Sequence, residues 1–119
     1  MLEDDPAVRS CVMELLDDGG FRCVGTSDPA EALDLLDLPR SPTLLLTDID
    51  LGVHGLDGFE VARRARASRP ALPVLFMSGR SWLLDGHPRS ARDRVLPKPF
   101  RGPTLLALVS ELIPQTVSA

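Results

Sequence analysis

Two uninterrupted apolar runs, each closed by a polar residue, constrain this chain most: Leu44-Leu45-Leu46-Thr47 ends at Asp48, and Val74-Leu75-Phe76-Met77 ends at Ser78-Gly79. A strand with one wet face alternates apolar and polar side chains. A run that is apolar throughout suits a strand covered on both faces, as the strands of parallel sheets are. Covering both faces requires helices, and helical patterns lie between the runs.

Val8, Cys11, Val12, Leu15 and Leu16 recur at helical spacing and are followed by Gly19-Gly20, a good helix end. Phe21 to Val24 reads as a short strand. Asp28-Pro29-Ala30-Glu31 then supplies an N-cap, a first-turn proline and a capping-box glutamate for a second helix bearing Ala32, Leu33, Leu35 and Leu36. Asp57-Gly58-Phe59-Glu60 repeats the box ahead of a third helix with Phe59, Ala62 and Ala65 on one stripe. Ser81 to Arg92, with Gly86 and Pro88, makes a poor helix. Arg94-Val95-Leu96 predicts a strand, and Pro103 opens a last helix that Pro114 stops. This alternation predicts a doubly wound α/β domain over residues 1–119, without internal repeats or a linker.

In such sheets the carboxyl ends of the strands meet at one crevice where ligands bind. Asp48, Ser78 and Lys98, the last in Lys98-Pro99-Phe100, all follow strand-like runs, and Glu3-Asp4-Asp5 opens the chain. Two or three carboxylates, a hydroxyl and an ammonium around one volume suit a hard divalent cation with a phosphoryl group.

The ordered set of acid pair, strand-end Asp, strand-end Ser-Gly and strand-end Lys-Pro-Phe resembles the receiver domain of two-component response regulators over nearly the whole chain. The resemblance implies a flavodoxin-like, five-stranded parallel sheet of order 2-1-3-4-5. It implies that Asp48 accepts a phosphoryl group from the phosphohistidine of a sensor histidine kinase or a histidine phosphotransfer protein. Mg²⁺ would be held by Asp4 directly, by Glu3 through water, by Asp48, and by the Asp50 backbone carbonyl. Lys98 would neutralise one phosphoryl oxygen and Ser78 bind another, with Gly79 leaving room and Lys98-Pro99 in the cis form. Such a domain receives and slowly loses its own phosphoryl group and is not a multiple-turnover enzyme.

The chain departs from the family pattern in three places. Val95 stands where receivers carry a tyrosine or phenylalanine that turns on phosphorylation, so an aromatic relay is in doubt and the signal would leave by phosphoryl transfer. The loop from Asp48 to Asp57 is slightly long and holds Gly52 and His54 where the family has a proline. Only Met1 and Leu2 precede Glu3, so the first, central strand is largely missing. Burying about four strand side chains at roughly 1.5–3 kcal/mol each rivals a domain's total stability. The expectation is therefore a truncated start, or a strand replaced or supplied in trans. At the rim, Asp50 and Arg80 are expected to pair and hinder the water that hydrolyses the acyl phosphate.

Composition sets outer bounds. Net charge is −4, charged residues make up 25% and the apolar set 44%, which fits an ordinary globular domain and argues against a direct nucleic-acid surface. Arg63, Arg64 and Arg66 beside Glu60 read as a solvated helix face. Cys11 and Cys23 read as small packed hydrophobes rather than a disulfide. His54 and His87 read as solvent-facing, and Trp82 as a local packing anchor. No apolar run approaches the ~20 residues of a membrane span, so the expectation is a cytoplasmic protein. Two rivals stay open: a receiver-like binding module that takes no phosphoryl group, and a haloacid-dehalogenase-type phosphatase built on Asp48-Ile49-Asp50, Ser78 and Lys98. The latter places its metal-binding acids after the lysine, where only Glu111 follows here. Dimerisation, and whether the domain is free-standing or cut from a hybrid kinase, also stay open.

Overall fold

A computed structural model describes residues 1–37, 43–49, 57–79 and 92–113. The expected poor helix with Trp82 and His87, and Gly52, His54, Asp50 and Arg80, lie outside the described residues. Three strands run parallel in the order β1 (Leu45–Asp48), β2 (Val74–Ser78), β3 (Asp93–Pro97). Leu45 stands opposite Val74, and Val74 opposite Asp93, so the three strands start level; Asp48 ends β1 opposite Met77, one residue before β2 and β3 end at Ser78 and Pro97.

Strand alternation sorts the core into two layers. Leu45, Val74 and Phe76 pack with Leu2 against α2 (Pro29–Leu36) and α3 (Gly58–Ser68), where Ala32, Leu36, Val61, Ala62 and Ala65 are buried. Leu46, Leu75, Met77 and Leu96 face the other way, against Val12 and Leu16 of α1 (Pro6–Asp18) and Leu105 and Val109 of α4 (Gly102–Leu112). The sheet is thus covered on both faces, as its all-apolar strands require.

The helix starts follow the sequence. Asp5 caps α1 by accepting from the Ala7 and Val8 N–H groups, Asp28 caps α2 at Ala30, and Asp57 caps α3 at Glu60 N–H, 2.8 Å. The Glu60 carboxylate binds Arg63 and Arg64 on the exposed face of α3, as expected of a solvated surface. Arg66 departs from that reading. Its side chain turns inward and joins α3 to the start of β3, donating to Leu72 O and to the buried Asp93 carboxylate. Cys11 departs too: it is exposed, because the buried stripe of α1 follows Val12 and Leu16 and leaves position 11 at its edge. Both cysteines are free thiols.

On the left side of the sheet the neighbours follow the expected order through isolated bridges rather than regular strands. Leu2 makes one parallel bridge to Thr26 and one to Thr47, so residues 1–3 lie between residues 24–26 and β1. Phe21 to Val24 forms no regular strand, since so short a neighbour offers it little to pair with. Beside Met1 a small, partly open apolar pocket is lined by Val24, Ala32, Leu35, Leu36, Leu44 and Leu45, with Thr26. Among the described residues no helix is long and apolar enough to cross a membrane.

Candidate functional site

Glu3 reaches the crevice on two backbone rungs per side. Leu2 is fully buried; its N–H donates to Leu46 O at 2.7 Å and its carbonyl accepts from Asp48 N–H at 2.9 Å. On the other side Thr26 N–H donates to Met1 O at 2.9 Å and Glu3 N–H to Thr26 O at 3.1 Å. Burial of one leucine with its backbone fully used holds the strand end where a longer strand would otherwise be needed.

Asp48 ends β1, and its backbone is held from two neighbours. Leu2 takes its N–H, and its carbonyl accepts the Thr47 hydroxyl at 2.9 Å. Gly58, the first residue of α3, closes over this end. Its N–H donates to Ile49 O at 2.8 Å, and a Cβ built on it would lie 2.4 Å from the Asp48 carbonyl oxygen. Only a glycine lets the helix start so near the strand end. Local sequence pattern identifies the preceding Asp57 as a cap but carries no sign of this second role of the dipeptide.

Lys98 completes the group. Its N–H donates to Ser78 O at 2.8 Å, continuing the β2–β3 ladder, and the Lys98-Pro99 peptide is cis, as the family resemblance implies. Its ammonium lies 2.9 Å from Glu3 Oε2, 95 positions away in the chain, and 3.3 Å from Asp48 Oδ2. Burial alone would lower the Lys98 pKa. The Glu3 hydrogen bond and the charges of Asp48 and Glu3 outweigh it, so the ammonium is held more firmly than usual. Glu3 is 1% exposed and Asp48 7%, so the lysine offsets two carboxylates that water scarcely reaches.

Glu3, Asp48, Ser78 and Lys98 therefore come together, and Ser78 is buried at the end of β2. Asp4 is half-buried beside Glu3, with its Oδ1 shielded from solvent. Asp5 is drawn away to cap α1, which reduces the opening acidic triplet to a pair. Gly79 is exposed, and among the described residues a Cβ there would meet nothing within 4 Å. Val95 is half-buried against the α2–α3 core layer. Asp50 and Arg80 lie outside the described residues.

Among the described residues, no three His, Cys, Asp or Glu side chains are gathered closely enough to hold a metal ion between them. Mg²⁺ asks for less, since one or two carboxylates hold it while water and phosphoryl oxygens fill its remaining positions. The all-oxygen donors Glu3, Asp4 and Asp48 meet that demand, and the bridging ammonium already places one positive charge among them.

Residues 1–110 match the family described as response regulator receiver domain. The chain is 32% identical over 118 residues to response regulator MprA of Mycobacterium avium, covering 98% of this chain and 50% of that protein. It thus spans about half the length of the curated relatives it matches. Among solved structures, a response regulator receiver protein from Sinorhizobium medicae superposes with a TM-score of 0.79 at 29% identity, covering 94% of this chain and 90% of the other. The receiver domain of the hybrid histidine kinase CckA superposes with a TM-score of 0.77 at 29% identity, covering 94% of each. Since the family match runs from the first residue into the last helix, the chain belongs to the response regulator receiver domains.

Proposed function

We propose that this domain accepts a phosphoryl group on Asp48 from the phosphohistidine of a sensor histidine kinase or a histidine phosphotransfer protein. The supporting observation is the bridging ammonium, with Lys98 Nζ 2.9 Å from Glu3 Oε2 and 3.3 Å from Asp48 Oδ2. An Asp48 carboxylate oxygen attacks phosphorus in line as the P–N bond breaks, and the bond's electron pair leaves with the imidazole. The product is an acyl phosphate. Lys98 then shifts toward a phosphoryl oxygen and the Ser78 hydroxyl binds another, while Mg²⁺ would be held by Asp4 directly, by Glu3 through water, and by Asp48 and the Asp50 carbonyl. When bound, Mg²⁺ neutralises charge that builds on the phosphoryl oxygens. No water-activating base enters this scheme, which fits a single transfer rather than multiple turnover.

Val95 favours an output by onward transfer. A half-buried valine has no ring to turn between inner and outer positions, so phosphorylation has no aromatic relay at this point of β3. Intact mass after incubation with acetyl phosphate and Mg²⁺ tests the proposal. The expected result is one added phosphoryl group, absent in Asp48→Ala and absent without Mg²⁺. No labelling of the wild type would make the domain a binding module, and steady release of phosphate from many substrates would make it a phosphatase.

A further inference from the structure

The ladder between residues 1–3 and residues 24–26 stops one rung early. Thr26 N–H donates to Met1 O and Glu3 N–H to Thr26 O. The alternation of a parallel ladder makes Asp28 N–H the next donor, to Glu3 O. Asp28 N–H is instead taken by the Thr26 hydroxyl at 3.0 Å, as the chain turns into α2. Glu3 O receives its hydrogen bond from elsewhere: Arg9 Nη1, from the first turns of α1, donates to it at 2.8 Å. The aliphatic stem of Arg9 lies over Gly25, with Cγ and Cδ each 3.2 Å from where a Cβ would stand. A side chain thus replaces the missing backbone rung.

We infer that Arg9 is a positioning residue for the divalent cation, acting through the peptide that joins Glu3 to Asp4. That peptide is planar, so fixing the Glu3 carbonyl fixes the Asp4 N–H and the place of the Asp4 Cα, the point from which its side chain leaves the backbone. The Glu3 side chain is tied at its two oxygens, by Asp5 N–H at 3.1 Å and by Lys98 at 2.9 Å. Arg9 is what ties the backbone between the two acids. Groups that orient metal ligands without touching the metal commonly govern affinity by an order of magnitude.

The inference rests on the Mg²⁺ reading of the site, and its test has a sign of its own. Removing a positive charge beside two carboxylates tightens cation binding if charge alone matters. If Arg9 positions Asp4, removing it loosens binding. The experiment titrates Mg²⁺ into the unphosphorylated full chain by calorimetry, for wild type, Arg9→Lys and Arg9→Met, with urea unfolding of each alongside. The expected order of affinity is wild type, then Arg9→Lys, then Arg9→Met, the last weaker by roughly tenfold or more. Labelling by acetyl phosphate should need more Mg²⁺ in Arg9→Met yet approach the wild-type rate once Mg²⁺ is saturating. Unchanged or tighter Mg²⁺ binding in Arg9→Met overturns the inference and leaves the site reading intact. So does equal weakening in Gly20→Ala, a variant remote from the acids, at matched loss of stability. A wild type that binds no Mg²⁺ overturns both.

Discussion

The two sides of the sheet are held in different ways. From β1 to β3 the chain is zipped by continuous parallel registers, four paired residues between β1 and β2 and five between β2 and β3. On the other side a single buried leucine bridges Thr26 and Thr47. The site draws on both: Asp48, Ser78 and Lys98 come from the zipped side, Glu3 and Asp4 from the bridged one. Ladder length is therefore a poor guide to which residues a fold can hold still. Two rungs suffice when the residue between them is fully buried and a side-chain ion pair crosses the seam, as Lys98 to Glu3 does.

The sharpest way to break that comparison is to shorten Leu2. Leu2→Ala leaves a cavity at the seam and should cost about 2–5 kcal/mol, as much as Leu75→Ala in the middle of β2. Urea unfolding of the two variants measures this. The site separates them: Leu2→Ala should also lose acetyl-phosphate labelling under conditions where it is still folded, and Leu75→Ala should not. A cost for Leu2→Ala below that of an ordinary surface change would mean the bridge holds nothing.

Lys98→Met removes the tie across the seam and strands two carboxylates away from water. We expect a loss of about 1–3 kcal/mol in the absence of divalent ions. Mg²⁺ should recover part of it, because a cation between the acids replaces the ammonium. The wild type should gain less from the same Mg²⁺ concentration. Equal gains in both proteins, read as shifts in thermal midpoint, would show that the lysine and the metal do not share a place.

Lengthening the bridged side tests the comparison in the other direction. Four alternating β-branched and small residues added ahead of Met1 would continue its path alongside Val24 and cover the shallow apolar pocket lined by Leu36 and Leu45. After the cost of ordering the added backbone, the gain should be roughly 1–2 kcal/mol. For a domain of this size that is a thermal midpoint higher by roughly 5–10 °C. The same extension made of Gly and Ser should leave the midpoint where it was.

Much of this arrangement is legible in the amino-acid sequence. The apolar runs, the Asp caps and the proline stops are local signals, and they place β1, β2, β3 and, among the described residues, α1 to α4. Asp48, Ser78 and Lys98 are legible because each closes a strand, and strands of one parallel sheet end together. What escapes such reading depends on contacts that no local pattern carries. Gly58 looks like part of a cap and is also the gap through which α3 approaches the Asp48 carbonyl. Asp5 looks like a third crevice acid and is spent on the first turn of α1. Arg66 shares its helix and its charge with Arg63 and Arg64, yet reaches Asp93, which lies 27 residues away in the chain. Leu2 is a whole strand position in one residue, and only its partners Thr26 and Thr47 reveal it.

The smallest expected effect concerns the charges of α3, where one helix repeats the contrast between exposed and buried ties. Glu60, on the exposed face, accepts hydrogen bonds from Arg63 and Arg64, and these hold its carboxyl down at about 2. A carboxyl depressed on folding stabilises above its unfolded value, here the usual 4.5, and that contribution fades as pH falls from there through about 2. Water and salt screen so exposed a group, so Glu60→Gln should change the thermal midpoint little at pH 7 and not at all in molar salt. Arg66 is different, because its partner Asp93 is buried, with a side chain only 2% exposed. Arg66→Met should lower the midpoint more than Arg63→Met, and molar salt should leave that difference standing. If the two variants respond to salt alike, the Arg66 pair behaves as a surface pair and the zipped side of the sheet owes its hold to the backbone ladder alone.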